Sequence, residues 1–89
     1  MSDNQDTLLK FPCQFPIKAM GKARADFDAL VLEIVRKHTS DLSDLTVRSR
    51  VSRGGRFVSV TVVIEALSKD QLDNIYMDLT SNEHVLMVL

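Results

Sequence analysis

The stretch VSRGGRFVSVTVVIEA (51–66) places two glycines between two arginines and then continues as a run of mostly β-branched residues. Paired glycines are typical of a two-residue hairpin turn, which needs positive φ at its central positions. With Gly54 and Gly55 in that turn, Arg53 faces Arg56, and the register of two antiparallel strands is set. The stretch therefore predicts a β-hairpin.

The register implied by this turn sorts both strands into two faces. One face collects the pairs Val51 with Val58, Ser49 with Val60, Val47 with Val62, and Leu45 with Ile64. The other face is mostly polar and collects Ser52 with Phe57, Arg50 with Ser59, Arg48 with Thr61, and Thr46 with Val63. Because one assumption separates apolar from polar residues on both strands, the pattern supports the hairpin, although a wider loop with a bulge stays open.

A Gly-rich phosphate-binding loop is the alternative interpretation of the two glycines. Dinucleotide-binding loops have three glycines that lead into a helix, and a P-loop has Gly-Lys followed by Ser or Thr. Here the glycines lead into a strand of Val and Thr residues. The context therefore favours the turn.

Two segments have helical periodicity. In 24–39 the apolar positions recur three and four residues apart; they are Phe27, Leu30, Val31, Ile34 and Val35, with His38 at the end. In 68–82 the stripe consists of Leu72, Ile75, Tyr76 and Leu79. Ser68 followed three residues later by Gln71 predicts a capping box at the start of this second helix.

Two further strands complete the pattern. Phe15, Ile17 and Ala19 alternate with Pro16, Lys18 and Met20, which predicts a strand that ends at Gly21. The apolar run EHVLMVL (83–89) predicts a last strand. The resulting order is that of the ferredoxin-like βαββαβ sandwich, an α+β fold. We expect a four-stranded antiparallel sheet, with the first and third strands in the middle and two helices on one face.

Length and composition limit the class of protein. The 89 residues predict one domain over 9–89, preceded by a disordered tail over 1–8, and 40–44 is a polar connector. The net charge of −1 gives no overall attraction to nucleic acid or to an anionic membrane. A single cysteine, Cys13, excludes an internal disulfide and suits a reducing compartment. The polar start and the lack of a long apolar run predict a cytoplasmic protein with no membrane partner.

Two segments resemble a known family. LLKFPCQFPIKAMG (8–21) and the ending VLMVL (85–89) are similar to the corresponding segments of the YbeD-like small bacterial proteins. The resemblance implies a ferredoxin-like fold akin to ACT regulatory domains. It also implies a regulatory role near lipoate metabolism, because genes of this family often lie beside lipoate-biosynthesis genes.

Few residues suggest catalytic or metal chemistry. His38 and His84 have no carboxylate or cysteine at metal-ligand spacing, and Cys13 has no Cys-X-X-Cys partner. We therefore predict no catalytic residues, no bound metal, no cofactor and no enzyme activity. Gly21 and Lys22 are candidates for a small-molecule effector site, because ACT domains use a glycine at the turn after the first strand. The alternative is that Gly21 only allows the chain to turn.

The face of the sheet away from the helices is the candidate interaction face. Its candidate residues are Met20, Arg48, Arg50, Phe57, Val63, Leu86 and Val88. In the last strand, Val85, Met87 and Leu89 point one way and Leu86 and Val88 the other, so only one set faces the helices. We expect the remaining apolar residues to support self-association or binding of a protein partner.

The sequence therefore predicts a non-enzymatic regulatory or protein-interaction module. The alternative function is RNA binding on the open sheet, which RNA-recognition domains of the same topology perform with stacked aromatics. The strand FVSVTVVI (57–64) has one aromatic residue, so nucleic acid is the less favoured partner.

Overall fold

A computed structural model describes residues 10–39 and 46–89 of the chain. The strands are β1 (Cys13–Lys22), β2 (Thr46–Val51), β3 (Phe57–Ala66) and β4 (Met87–Val88), and the helices are α1 (Phe27–Arg36) and α2 (Lys69–Thr80). The predicted tail over 1–8, the connector over 40–44 and the pairing of Leu45 with Ile64 involve residues outside these two ranges.

The four strands form one antiparallel sheet in the order β2-β3-β1-β4. The long strands β1 and β3 lie in the middle, and the short β2 and β4 form the edges. This arrangement confirms the predicted α+β ferredoxin-like fold. One face of the sheet lies under the helices. The other is the open face, which in the central strands carries Gln14, Pro16, Lys18, Met20 and Lys22 from β1 and Phe57, Ser59, Thr61, Val63 and Glu65 from β3.

The core lies between the helices and the covered face of the sheet. Its fully buried side chains include Phe27, Val31 and Val35 from α1, Ile75 and Leu79 from α2, and Ile17, Val60, Val62 and Ile64 from the central strands. Burying each such large side chain stabilises the fold by about 1.5–3 kcal/mol. Alternation along β1 and β3 then sends the residues in between to the open face.

The hairpin has the predicted register but a wider turn. Val51 pairs with Val58, Ser49 with Val60 and Val47 with Val62, as predicted. The Ser52 N–H donates to the Phe57 carbonyl (2.7 Å), and the Gly55 N–H donates to the Ser52 carbonyl (2.9 Å). The loop therefore spans 53–56. The prediction of a two-residue turn is wrong, because the ladder ends at Ser52 and Phe57 and the reversal needs only one residue at positive φ, Gly55 (75°).

We expect Gly55→Val to lower the free energy of unfolding by about 1–2 kcal/mol, because left-handed backbone strains an L-residue. Gly54→Val is the matched control, since Gly54 has no positive φ and a Cβ there meets no atom within 4 Å. Urea unfolding of both variants measures the difference. An equal loss in the two variants would contradict this assignment of the turn.

The covered face of β2 is more exposed than the pattern predicts. Val47 is 38% exposed and Val51 is 58% exposed, whereas their partners Val62 and Val58 are buried. Pairing register is a property of the backbone, but burial also needs a helix above the strand. At the edge strand β2 this covering is incomplete, and the predicted apolar face is buried only on its β3 side.

The helix ends show how side chains select the boundaries. α1 begins at Phe27 rather than at residue 24, with Asp26 at its N-cap position. The Asp26 carboxylate binds the Arg24 guanidinium and makes no capping hydrogen bond to the helix. At α2 the Ser68 half of the predicted capping box is present, with the Ser68 hydroxyl accepting from the Gln71 N–H (3.1 Å), while the Gln71 side chain binds one residue before the N-cap. The Gln71 amide accepts from the Leu67 N–H (2.6 Å) and donates to the His38 carbonyl (2.8 Å), so it ties α2 to the end of α1.

Candidate functional site

The open face presents two cross-strand rows of side chains near its centre. One row runs Arg50, Ser59, Met20 and Met87, and the next runs Arg48, Thr61, Lys18 and Leu89. Two backbone hydrogen bonds join the last pair of the second row. The Lys18 N–H donates to the Leu89 carbonyl (3.2 Å), and the Leu89 N–H donates to the Lys18 carbonyl (2.7 Å). Each row therefore places a cation beside an apolar or small side chain.

The apolar residues of the open face are concentrated at the β4 edge. Met20 lies directly opposite Met87, and Met87 and Leu89 are 50% and 60% exposed. The structure places the predicted residues Met20, Phe57 and Val63 on this face as well. Met87 and Leu89 were not among the candidates, since strand alternation alone does not say which set of terminal residues faces outward.

Val88 does not lie on the open face, so this candidate position is corrected. It pairs with Ala19 and packs against the buried core on the helix side. The register between β4 and β1 decides on which face Val88 lies. That register depends on contacts between residues that are far apart in the sequence. Leu86, the other candidate of this set, is 57% exposed, and its N–H donates to the Met20 carbonyl (2.7 Å).

The end of the chain is shorter as a strand than the predicted 83–89. The residues before β4 form a turn, in which the His84 N–H donates to the Asn82 side chain (2.8 Å) and the Val85 N–H donates to the Asn82 carbonyl (3.1 Å). The Tyr76 hydroxyl donates to the Leu89 carbonyl (3.2 Å), and partial burial raises the pKa of Tyr76. These contacts position the terminal residues against β1.

Gly21 is a residue of β1 rather than of the turn after it. It is buried and pairs with Val58, and the strand continues to Lys22. A Cβ at this position would overlap the His84 carbonyl oxygen and would lie 2.5 Å from Cε1 of Phe27. Glycine is thus required for close packing, and the interpretation that Gly21 allows the chain to turn is wrong.

Lys22 borders a cleft of about 290 Å³ that is also lined by Ala23, Arg24, Glu83, His84 and Leu86. The Arg24 guanidinium is already engaged, because it binds both oxygens of Asp26 at 2.6 and 3.2 Å. The hydrogen bond from Arg24 lowers the pKa of the Asp26 carboxyl. A small-molecule effector at Lys22 therefore stays a prediction. The second cation of the cleft, Arg24, is already paired with Asp26.

His38 bridges the two helices. Its Nε2 lies 2.9 Å from a carboxylate oxygen of Asp78, and the Lys37 Nζ lies 3.3 Å from the same oxygen. The hydrogen bond from His38, followed by Lys37, lowers the pKa of Asp78. A lowered carboxyl pKa means that this cluster stabilises the fold above the ordinary pKa of the carboxyl and loses that contribution as the pH falls through the lowered value.

The remaining reactive groups do not converge. Cys13 is a half-buried free thiol that packs against the core, and His84 lies 3.8 Å from the carboxylate of its neighbour Glu83. Within 10–39 and 46–89, no three side chains of the metal-binding types are grouped to hold an ion. In the same two ranges, no helix is long and apolar enough to cross a membrane.

Comparisons with known proteins identify similar chains. A family model described as "Protein of unknown function (DUF493)" matches residues 6–89. The UPF0250 protein of Chromobacterium violaceum is 47% identical over 89 residues, which covers 100% of both chains. UPF0250 protein NE1487 of Nitrosomonas europaea is 41% identical over 85 residues, covering 96% of this chain and 98% of that one.

A solved structure has the same arrangement of elements. The solution structure of protein HP0495 from H. pylori matches with a TM-score of 0.74 at 13% sequence identity. The match covers 91% of this chain and 85% of that chain. At this identity the likeness shows the fold alone.

Proposed function

The chain belongs to the DUF493 family of small bacterial proteins, which includes the UPF0250 proteins, and from that premise we propose that it is a non-enzymatic protein-interaction module. The proposed binding surface is the open face of the sheet. A regulatory role and the link to lipoate metabolism that the YbeD-like resemblance implies both stay predictions.

One observation carries the proposal: apolar residues are neighbours on the face of the sheet that α1 and α2 leave uncovered. Met20, Met87 and Leu89 are neighbours at the β4 edge, and Phe57 is 41% exposed at one end of β3. Single exposed apolar residues are ordinary, but a contiguous group marks a contact surface. The methionines add adaptability, because their unbranched side chains fit varied partner surfaces.

The engagement of the reactive groups supports a non-catalytic role. His38 is held by Asp78 between the helices, and Cys13 packs against the core. Catalysis by a nucleophile needs a base within hydrogen-bond reach and a third group that orients the base. The open face carries Lys, Arg, Met, Ser, Thr and Gln side chains, together with Pro16, Phe57, Val63, Leu89 and one carboxylate, Glu65, whose cross-strand neighbour is Gln14. Such side chains bind partners without supplying that arrangement.

The part of β1 that extends beyond β4 favours binding through the face rather than by strand addition. Lys18 directs its N–H and its carbonyl toward β4, so Pro16 and Gln14, two and four residues earlier, direct their backbone groups to the same side, beyond the end of β4. Pro16 has no N–H, so a strand added there gains few hydrogen bonds. Proline is a common means of blunting a sheet edge.

RNA binding is the alternative on the same surface. Arg48 and Arg50 supply cations that would contact phosphates, and Phe57 supplies one stacking surface. RNA-recognition domains of this topology bind single-stranded RNA by stacking two or three bases on aromatic side chains. With one exposed aromatic among the residues described for this face, a protein partner is favoured.

The proposal is tested by placing a photo-crosslinking amino acid at Met87 or, as the matched control, at Met77. Met87 is 50% exposed on the open face, and Met77 is 66% exposed on α2. We expect irradiation of native cells to give a discrete protein adduct from position 87 and none from position 77. Equal adducts from both positions, or an adduct of nucleic acid from position 87, would contradict the proposed function.

A further inference from the structure

The charges of the molecule are unevenly distributed between its two sides. Lys18, Lys22, Arg48 and Arg50 lie on the open face, and Arg53 and Arg56 lie in the adjoining hairpin loop. Of the Asp and Glu side chains in 10–39 and 46–89, only Glu65 belongs to the sheet, and it lies on the open face opposite Gln14, at the end of β3 away from the hairpin loop. The other seven lie on the helices or in the turns next to them; they are Asp26, Asp28, Glu33, Asp70, Asp73, Asp78 and Glu83. Four cations, Arg24, Arg36, Lys37 and Lys69, also lie on the helix side, where the seven carboxylates outnumber them by three. The net charge of −1 does not show this uneven distribution.

The cations of the open face are close enough for their fields to add. Arg48 and Lys18 stand on either side of Thr61 in one cross-strand row, and Arg50 lies two residues from Arg48 along β2. Neighbouring strands are about 4.8 Å apart, so Arg48 and Lys18 are separated by about 10 Å at the backbone. This separation is comparable with the Debye length of about 8 Å at physiological salt, so a partner at the face meets a summed positive potential.

The positive potential borders an apolar strip at the β4 edge. Met20 lies between Ser59 and Met87 in the row that begins with Arg50, and Leu89 ends the row that contains Lys18. An occupant therefore needs apolar side chains for the methionines and leucine and carboxylates for the cations on either side. A nucleic acid matches the cations but leaves the apolar strip without a partner.

A second copy of the chain does not match this surface. Two open faces in contact would enclose Lys18, Arg48 and Arg50 of both copies in one interface, with Glu65 of each copy as the carboxylate described on that face. This excess of like charge opposes association. An open face against the acidic helix side of another copy is attractive but head-to-tail, and such contacts build open chains or rings.

We propose that the occupant of the open face is an acidic amphipathic segment of a different protein. This inference rests on the proposed function and specifies the chemistry of its partner. Apolar side chains of the segment cover Met20, Met87 and Leu89, and its carboxylates pair with Lys18, Arg48 and Arg50. Electrostatic complementarity of this kind selects the partner and speeds its encounter.

The test uses two synthetic amphipathic helical peptides of about five turns, with leucine on one face and either glutamate or lysine on the other. Titration is followed by amide chemical shifts of the full chain, with poly-uridine RNA as a third probe. We expect the glutamate peptide to bind, to shift residues such as Lys18, Thr61 and Met87 rather than α1 and α2, and to weaken as salt rises from ~0.01 to ~0.15 M.

Two variants of equal charge change separate the faces. Arg48→Glu on the open face is expected to weaken binding of the glutamate peptide about three- to tenfold, because it turns one attraction into a repulsion. Arg36→Glu, at an exposed position on α1, is the control and is expected to change binding less than twofold.

Each of the other outcomes would overturn the inference, and each would point to a different explanation. Equal binding of both peptides, or binding of neither, would contradict the proposal of an acidic partner. The photo-crosslinked adduct at position 87 would still test the proposed function independently. Binding of RNA alone on the open face replaces the protein partner and contradicts both proposals. A dimer seen by sedimentation that is lost in Met87→Lys makes a second copy the occupant and leaves the proposed function in place.

Discussion

Replacing Gly21 with alanine is expected to lower the free energy of unfolding by about 3 kcal/mol, the upper end of the usual cost of overpacking a core. The added methyl group would overlap the His84 carbonyl oxygen and approach Cε1 of Phe27 to 2.5 Å. A backbone carbonyl does not rotate away as a side-chain tip does. The strand, the turn before β4 or α1 must therefore shift.

The direction of this effect is informative because alanine ordinarily stabilises a strand relative to glycine. A strand glycine loses more conformational freedom on folding, which costs roughly 0.5–1 kcal/mol relative to alanine. Gly21 sits in regular β1 pairing with Val58 and has no positive φ, so its backbone places no demand for glycine. Only the space next to Phe27 and His84 makes glycine necessary.

Gly54→Ala is the matched control for Gly21→Ala. A Cβ at Gly54 meets no atom within 4 Å. We expect this variant to unfold within about 0.5 kcal/mol of the unmodified chain, as surface substitutions usually do. Urea unfolding followed by circular dichroism measures both. If Gly21→Ala is as stable as Gly54→Ala, the close packing of β1, α1 and the turn before β4 is not as described.

The fold is largely predictable from the sequence because its main signals are periodic. The glycine pair fixed the register of β2 and β3, since residues paired across the hairpin keep a constant sum of residue numbers whether the loop has two residues or four. The loop length was not predictable, because it depends on the hydrogen bonds that Ser52 makes to Phe57.

The candidate surface is predictable only in part. Alternation places Met20 and Arg48 on the open face, and the hairpin register adds Phe57 and Val63. This reasoning does not extend to the terminal strand, because all its residues are apolar. The pairing of Met20 with Met87 decides which of them lie on the open face. The same limit applies to His38 and Asp78, which are 40 residues apart and meet only when the helices pack.

Phe27 and Phe57 offer a direct comparison of the covered and open sides of the sheet. Phe27 is 1% exposed at the start of α1, where its ring lies over Gly21, and Phe57 is 41% exposed at the start of β3 on the open face. The side chains are identical, so truncation removes the same atoms at both positions. Any difference in effect then reports the surroundings rather than the chemistry of the residue.

We expect Phe27→Ala to lower the free energy of unfolding by about 3–5 kcal/mol, because it leaves a cavity in the core. For a domain of this length that is a large share of a total of roughly 4–13 kcal/mol. Phe57→Ala is expected to cost under about 1 kcal/mol, because much of its ring is already in water. Urea unfolding of both variants gives the comparison, with Phe27→Leu as a milder variant if Phe27→Ala does not fold.

The two variants are also expected to differ in binding. Phe57→Ala should remain folded and give a weaker adduct at position 87, because it removes apolar surface from the open face without disturbing the core. Phe27→Leu should keep the adduct at any urea concentration where it stays folded. Equal stability losses at the two positions would mean that the open face is covered. An undiminished adduct in Phe57→Ala would confine the binding surface to the β4 edge, at Met20, Met87 and Leu89.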